Sequence, residues 1–472
     1  MNGSGRTRQL AARCAVAVAA VAMAATAVPA QAAGGGPRTE QISVGAGGIR
    51  ANAQAFGESL SADGRFAVFS SEADNLVPGD TNGYYDVFVR DVRTGRTERV
   101  STGTGGVQGN LASVGGSASA DGRYVAFTSY ADNLVAGDAN GTSDVFVRDR
   151  LTGRTERLTT GDPAQQQPGG SDSPAISANG RYVAFASGRS DLVPGDTNGV
   201  ADIFVTDRWT GTTTRATVGA DGSEADRAST QPVISADGGK VGFISRAGNL
   251  LPGEPTPAES VSAASAAPAG QRFAARAGAG DPQITKPRVY PFYVRDLRAG
   301  RTVGGSVGGN GELTWANSGA LSADGRYAVF TTNSPDVVPG DTNAQIDVFV
   351  RDLTTGRVRL VSAAADGTPS NGPSYDGAIS ADGRRVYFSS YADNLVAGDT
   401  NQAEDVFRRD LWTGAVERVS LAADGSQSTG SSYLAAIDAL GTSALFSSDD
   451  GTLVPQDTDG HPDVFLRRLP LF

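Results

Sequence analysis

Ser61-Ala62-Asp63-Gly64-Arg65, running into Phe66-Ala67-Val68-Phe69-Ser70-Ser71, is written again and again along this chain. The pentapeptide returns as Ser119 to Arg123 and as Ser177-Ala178-Asn179-Gly180-Arg181. It returns again as Ser235-Ala236-Asp237-Gly238, and in copies that begin at Ser322 and Ser380. A worn seventh copy is Asp438-Ala439-Leu440-Gly441. The intervals are 58, 58, 58, 87, 58 and 58 residues, so seven copies of a 58-residue unit carry one net insertion of 29 in the fourth. A fixed period of this kind is the mark of a repeat architecture.

Each unit has one grammar. After the Asp-Gly turn, Phe66 to Ser71 is apolar on both faces, as a strand sandwiched between sheets should be. A polar loop from Glu72 to Tyr85 follows, and then a second strand, Asp86-Val87-Phe88-Val89-Arg90-Asp91. Arg93-Thr94-Gly95-Arg96 reads as a hairpin turn into a third strand, Thr97 to Ser101. A stretch of small residues, Asn110 to Ala118, supplies the fourth strand. Nothing in the unit has helical periodicity. Four antiparallel strands repeated seven times predict an all-β chain, a seven-bladed β-propeller of four-stranded blades.

The ends predict closure. Arg38-Thr39-Glu40-Gln41-Ile42-Ser43 matches Arg96 to Ser101 one period on, an outer strand with no blade before it. The last unit stops after Asp463 to Arg468 and lacks that same strand. The N-terminal strand, residues 39–44, is expected to complete blade seven and remove two sheet edges at once.

Residues 1–32 read as a signal peptide. Arg6, Arg8 and Arg13 precede an apolar run from Ala15 to Val28, and Ala30-Gln31-Ala32 carries small residues before the cut. The run is shorter than the roughly 20 residues that a membrane span needs. Residues 33–37 are a short leader, and 38–472 are the propeller. Within blade four, about 256–281 form an Ala-, Ser-, Pro- and Gly-rich insertion expected to be a flexible loop. The mature protein is expected to be secreted, extracellular and monomeric, with no membrane span after cleavage.

Composition narrows the chemistry. Forty basic residues stand against 51 acidic ones, a net charge of −11, and losing three arginines with the leader takes it to −14. No basic stripe offsets this, so nucleic acid is excluded as the expected partner. The chain has one cysteine, Cys14, and one histidine, His461. That excludes an internal disulfide and a Cys/His zinc cluster, and leaves a nucleophilic triad only His461 to build on.

The repeated turn, the apolar strand and the Asp-Val-Phe-Val-Arg-Asp strand with its Thr-Gly hairpin resemble the TolB-type, WD-like propeller repeat. The resemblance runs over nearly all of residues 38–472. It implies a scaffold for binding. TolB proteins carry an N-terminal α/β domain, in whose place this chain has only the leader, and the resemblance transfers no active site.

The clearest chemical motif is Asp-x-Asn-x-x-x-Asp. It reads Asp80, Asn82, Asp86 in blade one, Asp138, Asn140, Asp144 in blade two, and Asp196, Asn198, Asp202 in blade three. Blade five has Asp341, Asn343, Asp347, blade six Asp399, Asn401, Asp405, and blade seven Asp457, Asp459, Asp463. Hard oxygen ligands at alternate positions followed by a carboxylate suit Ca2+, the one cofactor this chain suggests. The loop resembles a shortened calcium loop of the integrin α-subunit propellers, without its first ligand. Asp74, Asn75 or water would have to complete the shell. The competing reading is that Asp and Asn cap turns without metal.

The Asp-Gly pairs read as turns and the Arg90-Asp91 pair as a structural contact. Polar residues that break the repeat on channel-facing strands are the other candidates: Glu58, Asp172, Gln231, Asn317 and Asp376. His461 reads as an exposed loop residue. Trp209 and Trp412 share one position beside the hairpins, where packing is the expected role. The function expected is a non-catalytic propeller that binds a protein or polysaccharide through its loops. The alternative is a secreted hydrolase or lyase with carboxylates or Ca2+ in the channel.

Overall fold

The structure, a computed structural model, describes residues 38–160, 169–252, 290–455, 457 and 460–470. Residues 1–32, 33–37 and 256–281, read above as signal peptide, leader and flexible insertion, lie outside the described residues. The chain forms seven antiparallel sheets arranged as propeller blades, with a single short 3-10 turn at Ala46–Gly48 among the described residues.

Blade one is β2 (Ala55–Leu60), β3 (Phe66–Ser71), β4 (Asp86–Asp91) and β5 (Arg96–Arg99), in that order. Blade two is β6 (Ser113–Ala118), β7 (Tyr124–Ser129), β8 (Asp144–Asp149) and β9 (Arg154–Arg157). Blade three follows with β10 (Ser171–Ile176), β11 (Tyr182–Ser187), β12 (Asp202–Asp207) and β13 (Thr212–Arg215). Blade four has β14 (Ser229–Ile234), β15 (Lys240–Ser245), β16 (Tyr290–Asp296) and β17 (Arg301–Gly304), and the two-residue β18 (Trp315–Ala316) pairs with β16. Blade five is β19 (Gly319–Leu321), β20 (Tyr327–Thr332), β21 (Asp347–Asp352) and β22 (Val358–Leu360). Blade six is β23 (Ser374–Ile379), β24 (Arg385–Ser390), β25 (Asp405–Asp410) and β26 (Val416–Arg418). Blade seven joins β27 (Ser432–Ile437), β28 (Ser443–Ser448) and β29 (Asp463–Arg468) to β1 (Arg38–Gln41). The small-residue stretch ending each unit is therefore the first strand of the following blade.

The middle strands hold the core. Phe69 lies opposite Phe88 in the register, and the rings stack at 5.5 Å. The same pair recurs in every blade, as Phe127–Phe146, Phe185–Phe204, Phe243–Tyr293, Phe330–Phe349, Phe388–Phe407 and Phe446–Phe465. Both faces of these strands are buried because adjacent blades pack on each other. Val68, Val87 and Val89 of blade one share a cluster with Val125, Phe127 and Phe146 of blade two.

The Ser-Ala-Asp-Gly-Arg turn locks each blade and ties it to the next. Ser61 Oγ donates to Asp63 Oδ1 at 2.7 Å, and the Phe66 amide donates to Ser61 Oγ at 2.8 Å. Arg65 then forks onto Asp91, Nε to Oδ1 at 3.0 Å and a terminal nitrogen to Oδ2 at 2.8 Å. Gly122 sits at φ +67, and a methyl there would lie 2.3 Å from the Phe66 ring of the previous blade. Glycine is required both for the left-handed turn and for the close approach.

Backbone bonds between these turns run round the ring: Ala62 N to Ala120 O, Ala120 N to Ala178 O, Ala178 N to Ala236 O and Ala236 N to Ala323 O. Ala439 N to Ala62 O, 3.0 Å, joins blade seven to blade one. The expected closing strand is present. Arg38 pairs with Arg468 and Gln41 with Phe465, and the Ile42 amide continues onto Val464 O at 2.6 Å. Blade six adds a clasp of its own. Arg408, wholly buried where other blades have Val or Leu, donates to Pro470 O at 3.0 Å.

Candidate functional site

The Asp-x-Asn loops bring their carboxylates together, and in four blades they do so around an arginine. Asp80 ends the loop's first turn and Asp86 begins β4. Arg99, at the end of β5, reaches Asp80 Oδ1 at 3.0 Å and Asp86 Oδ2 at 3.3 Å. Its other nitrogen donates to Gly79 O at 3.3 Å. Arg157 joins Asp138 and Asp144 at 2.6 and 3.4 Å. Arg215 joins Asp196 and Asp202 at 3.2 and 3.7 Å. Arg418 joins Asp399 and Asp405 at 3.4 and 3.2 Å. The guanidinium thus faces two carboxylates and a carbonyl, the oxygen types that bind a hard cation.

Asn82, Asn140, Asn198 and Asn401 each donate an amide hydrogen to the second carboxylate of the motif, at 2.7 to 3.0 Å. Their side-chain oxygens accept from the backbone two residues on, which is the Asx-turn role. Asp74 and Asn75 are engaged elsewhere: Asn52 donates to Asp74 at 2.7 Å, and Asn75 donates to Arg50 O at 2.8 Å. Burial pushes Asp80 and Asp86 up from the usual carboxylate range, and Asp196 and Asp405 to about 6.

The arginines escaped the motif reading, although the signal was there. Arg99, Arg157, Arg215 and Arg418 recur in register, each 13 residues beyond the last Asp of its motif. Leu360 breaks that series in blade five and Gln41 in blade seven. In blade seven Arg50 approaches Asp457 at 3.6 Å instead, Asp463 accepts from Ser43, and Asp459 lies outside the described residues. Among the described residues no group of three or more His, Cys, Asp and Glu gathers in the manner of a metal site.

The channel candidates are all half-buried, on the first strands of five different blades or just before one. Glu58 accepts from Ser70 Oγ at 2.9 Å and from the Gly115 amide of the next blade at 3.3 Å. It is a link between blades. Gln231 and Asp376 occupy one equivalent bulge, at φ 56 and 48. Asp172 precedes the same bulge in β10, and the Asn317 amide donates to Thr331 O at 2.9 Å. His461 is exposed, as expected.

Trp209 and Trp412 correct the packing expectation. They are 68% and 74% exposed. Each lies at the hairpin after the third strand of its blade, with one ring face on an arginine: Arg181 at 4.7 Å and Arg384 at 4.8 Å. Beside Trp209 is a cavity of about 210 Å³ lined by Tyr124, Asp149, Arg154, Glu156 and Arg208. Arg208 crosses from blade three to pair with Glu156 of blade two at 2.5 Å, and stacks over Tyr124 at 4.4 Å. The cavity therefore has an aromatic lip and a lining of paired charges. It is smaller than most small-molecule pockets, the size for one ring or one side chain.

No protein-family model and no curated protein matches this chain. Solved structures do. It is similar to an oligogalacturonate lyase from Vibrio parahaemolyticus, at 11% identity over 92% of this chain and 97% of that one, with a TM-score of 0.51. An oligogalacturonate lyase in complex with manganese aligns at 12% identity over 92% and 97%, TM-score 0.49. TolB from Acinetobacter baumannii aligns at 14% identity over 77% of this chain and 62% of that one, TM-score 0.37. At these identities the likeness is one of fold. Among the described residues no helix is long and apolar enough to cross a membrane.

Proposed function

We propose that the protein is an exported, non-catalytic propeller that binds a polysaccharide or protein partner through its outer hairpins. The observation that carries this reading is the pair of exposed tryptophans, each backed by an arginine, one of them at the lip of a polar cavity. A ring held from behind offers its free face at little entropic cost, and indole faces suit sugar rings and peptide side chains alike. Several of the carboxylates that the sequence offers as candidates serve the scaffold. Glu58 links two blades, and the loop aspartates of four blades face arginines. The export reading rests on the N-terminal pattern of residues 1–32.

The test is capture. The mature protein is immobilised and offered cell-wall polysaccharides and secreted proteins, beside Trp209→Ala and Trp412→Ala. Retention that falls about tenfold in either variant, near 1.4 kcal/mol, supports the reading. Undiminished retention in both variants moves the binding face elsewhere. Turnover of a glycoside, lactone or uronic-acid polymer by the purified protein overturns the non-catalytic reading.

A further inference from the structure

Blade five, like blade seven, departs from the arginine rule. Its loop carries Asp341, Asn343 and Asp347 like the others, but Leu360 stands at the position of Arg99, Arg157, Arg215 and Arg418. Leu360 turns into the apolar cluster with Phe330, Val337 and Phe349 instead. Asp347 is 0% exposed. Its Oδ1 accepts from Ser362 at 2.5 Å and from Ser370 at 2.9 Å. Its Oδ2 is buried and has no hydrogen-bond partner. In blades one, two, three and six the corresponding oxygen faces the guanidinium. Asn343 lies beside Asp347 but brings no charge; its amide donates to Ser370 O at 2.7 Å and its oxygen accepts from the Gln345 amide. Asp341 is almost fully buried as well, and Asp347 is the charge that acts on it. Among the described residues neither carboxylate has a cationic partner.

We propose that blade five holds one divalent cation, Ca2+ by its ligand chemistry, between Asp341 and Asp347, where a guanidinium stands in the four arginine blades. Two buried carboxylates without a counter-charge are costly, because neither solvent nor an opposite charge offsets their desolvation. A hard cation supplies the missing charge, and two carboxylates completed by water suit calcium of the weak, extracellular class, with a Kd of about 0.1 to 1 mM. The inference concerns the scaffold and stands apart from the binding role of the hairpins.

The test is a set of thermal melts of the mature protein in chelator, in 10 mM CaCl2 and in NaCl of equal ionic strength. Wild type is expected to gain about 1.5–3 °C in Ca2+ alone. Leu360→Arg, which restores the residue of the other blades, is expected to melt higher than wild type in chelator and to ignore Ca2+. Asp341→Asn is isosteric and keeps the test open should the arginine fail to fit; it too is expected to lose the Ca2+ response. Loss in the folded variants supports the site. A wild type unmoved by Ca2+, or a Ca2+ shift retained in a folded Leu360→Arg or Asp341→Asn, overturns it.

Discussion

Arg99 and its equivalents decide what the most conspicuous motif of this chain does. A loop with two aspartates and an asparagine invites a metal reading, and the oxygens do converge. Thirteen residues later a guanidinium arrives to meet them. Arg99→Leu is expected to leave Asp80 and Asp86 buried without their counter-charge and to lower the unfolding free energy by about 3 kcal/mol in a denaturant titration. Adding Asp80→Asn to that variant is expected to return part of the loss, because a neutral amide needs no partner charge. A variant as stable as wild type would show that Asp80 and Asp86 do not depend on Arg99. The motif and the arginine's recurrence were both legible in the sequence, but not that the two meet. Spacing along a chain locates ligands that share a loop, whereas the arginine enters from the neighbouring strand.

Strand β1 shows the same division at the scale of the element. That Arg38 to Ser43 matches Arg96 to Ser101 was legible, and so was the missing outer strand of blade seven. The structure adds how tightly the strand is held. Thr39 Oγ1 donates to Leu421 O of blade six at 2.6 Å and accepts from Arg467 at 2.7 Å, and Ile42 is wholly buried. Removal of residues 38–44 is expected to lower the unfolding free energy by about 3 kcal/mol or more, from Ile42 and Val44 alone, and to expose β29 as a raw edge. An unchanged melting temperature would refute closure by this strand. The hairpins are the contrary case. Repetition at an equivalent position suggested packing for Trp209 and Trp412, yet at a hairpin tip both rings stay largely in water.

For the molecule as a whole, two sets of carboxylates pull stability in opposite directions with pH. Burial raises Asp196, Asp341 and Asp405 from 3.8 to about 6. Their protonated forms favour the fold, so stability falls as pH rises from about 4 through 6. The fork from an arginine lowers Asp91, Asp149, Asp207 and Asp352 to about 2. Their contribution is complete above the unfolded value and is lost as pH falls toward 2. Without added cation the melting temperature is expected to peak at about pH 4 to 5, between the two ramps. A peak above pH 7 would contradict the buried-carboxylate account. The period of 58, the seven blades, the strand types and the closing strand were all decided by the sequence alone, because hydrophobic alternation and turn residues act locally and the repeat multiplies their signal sevenfold. Which side chain neutralises which, and which aromatic stays in water, were decided only by the tertiary structure, because charge and burial depend on neighbours brought from another strand or another blade.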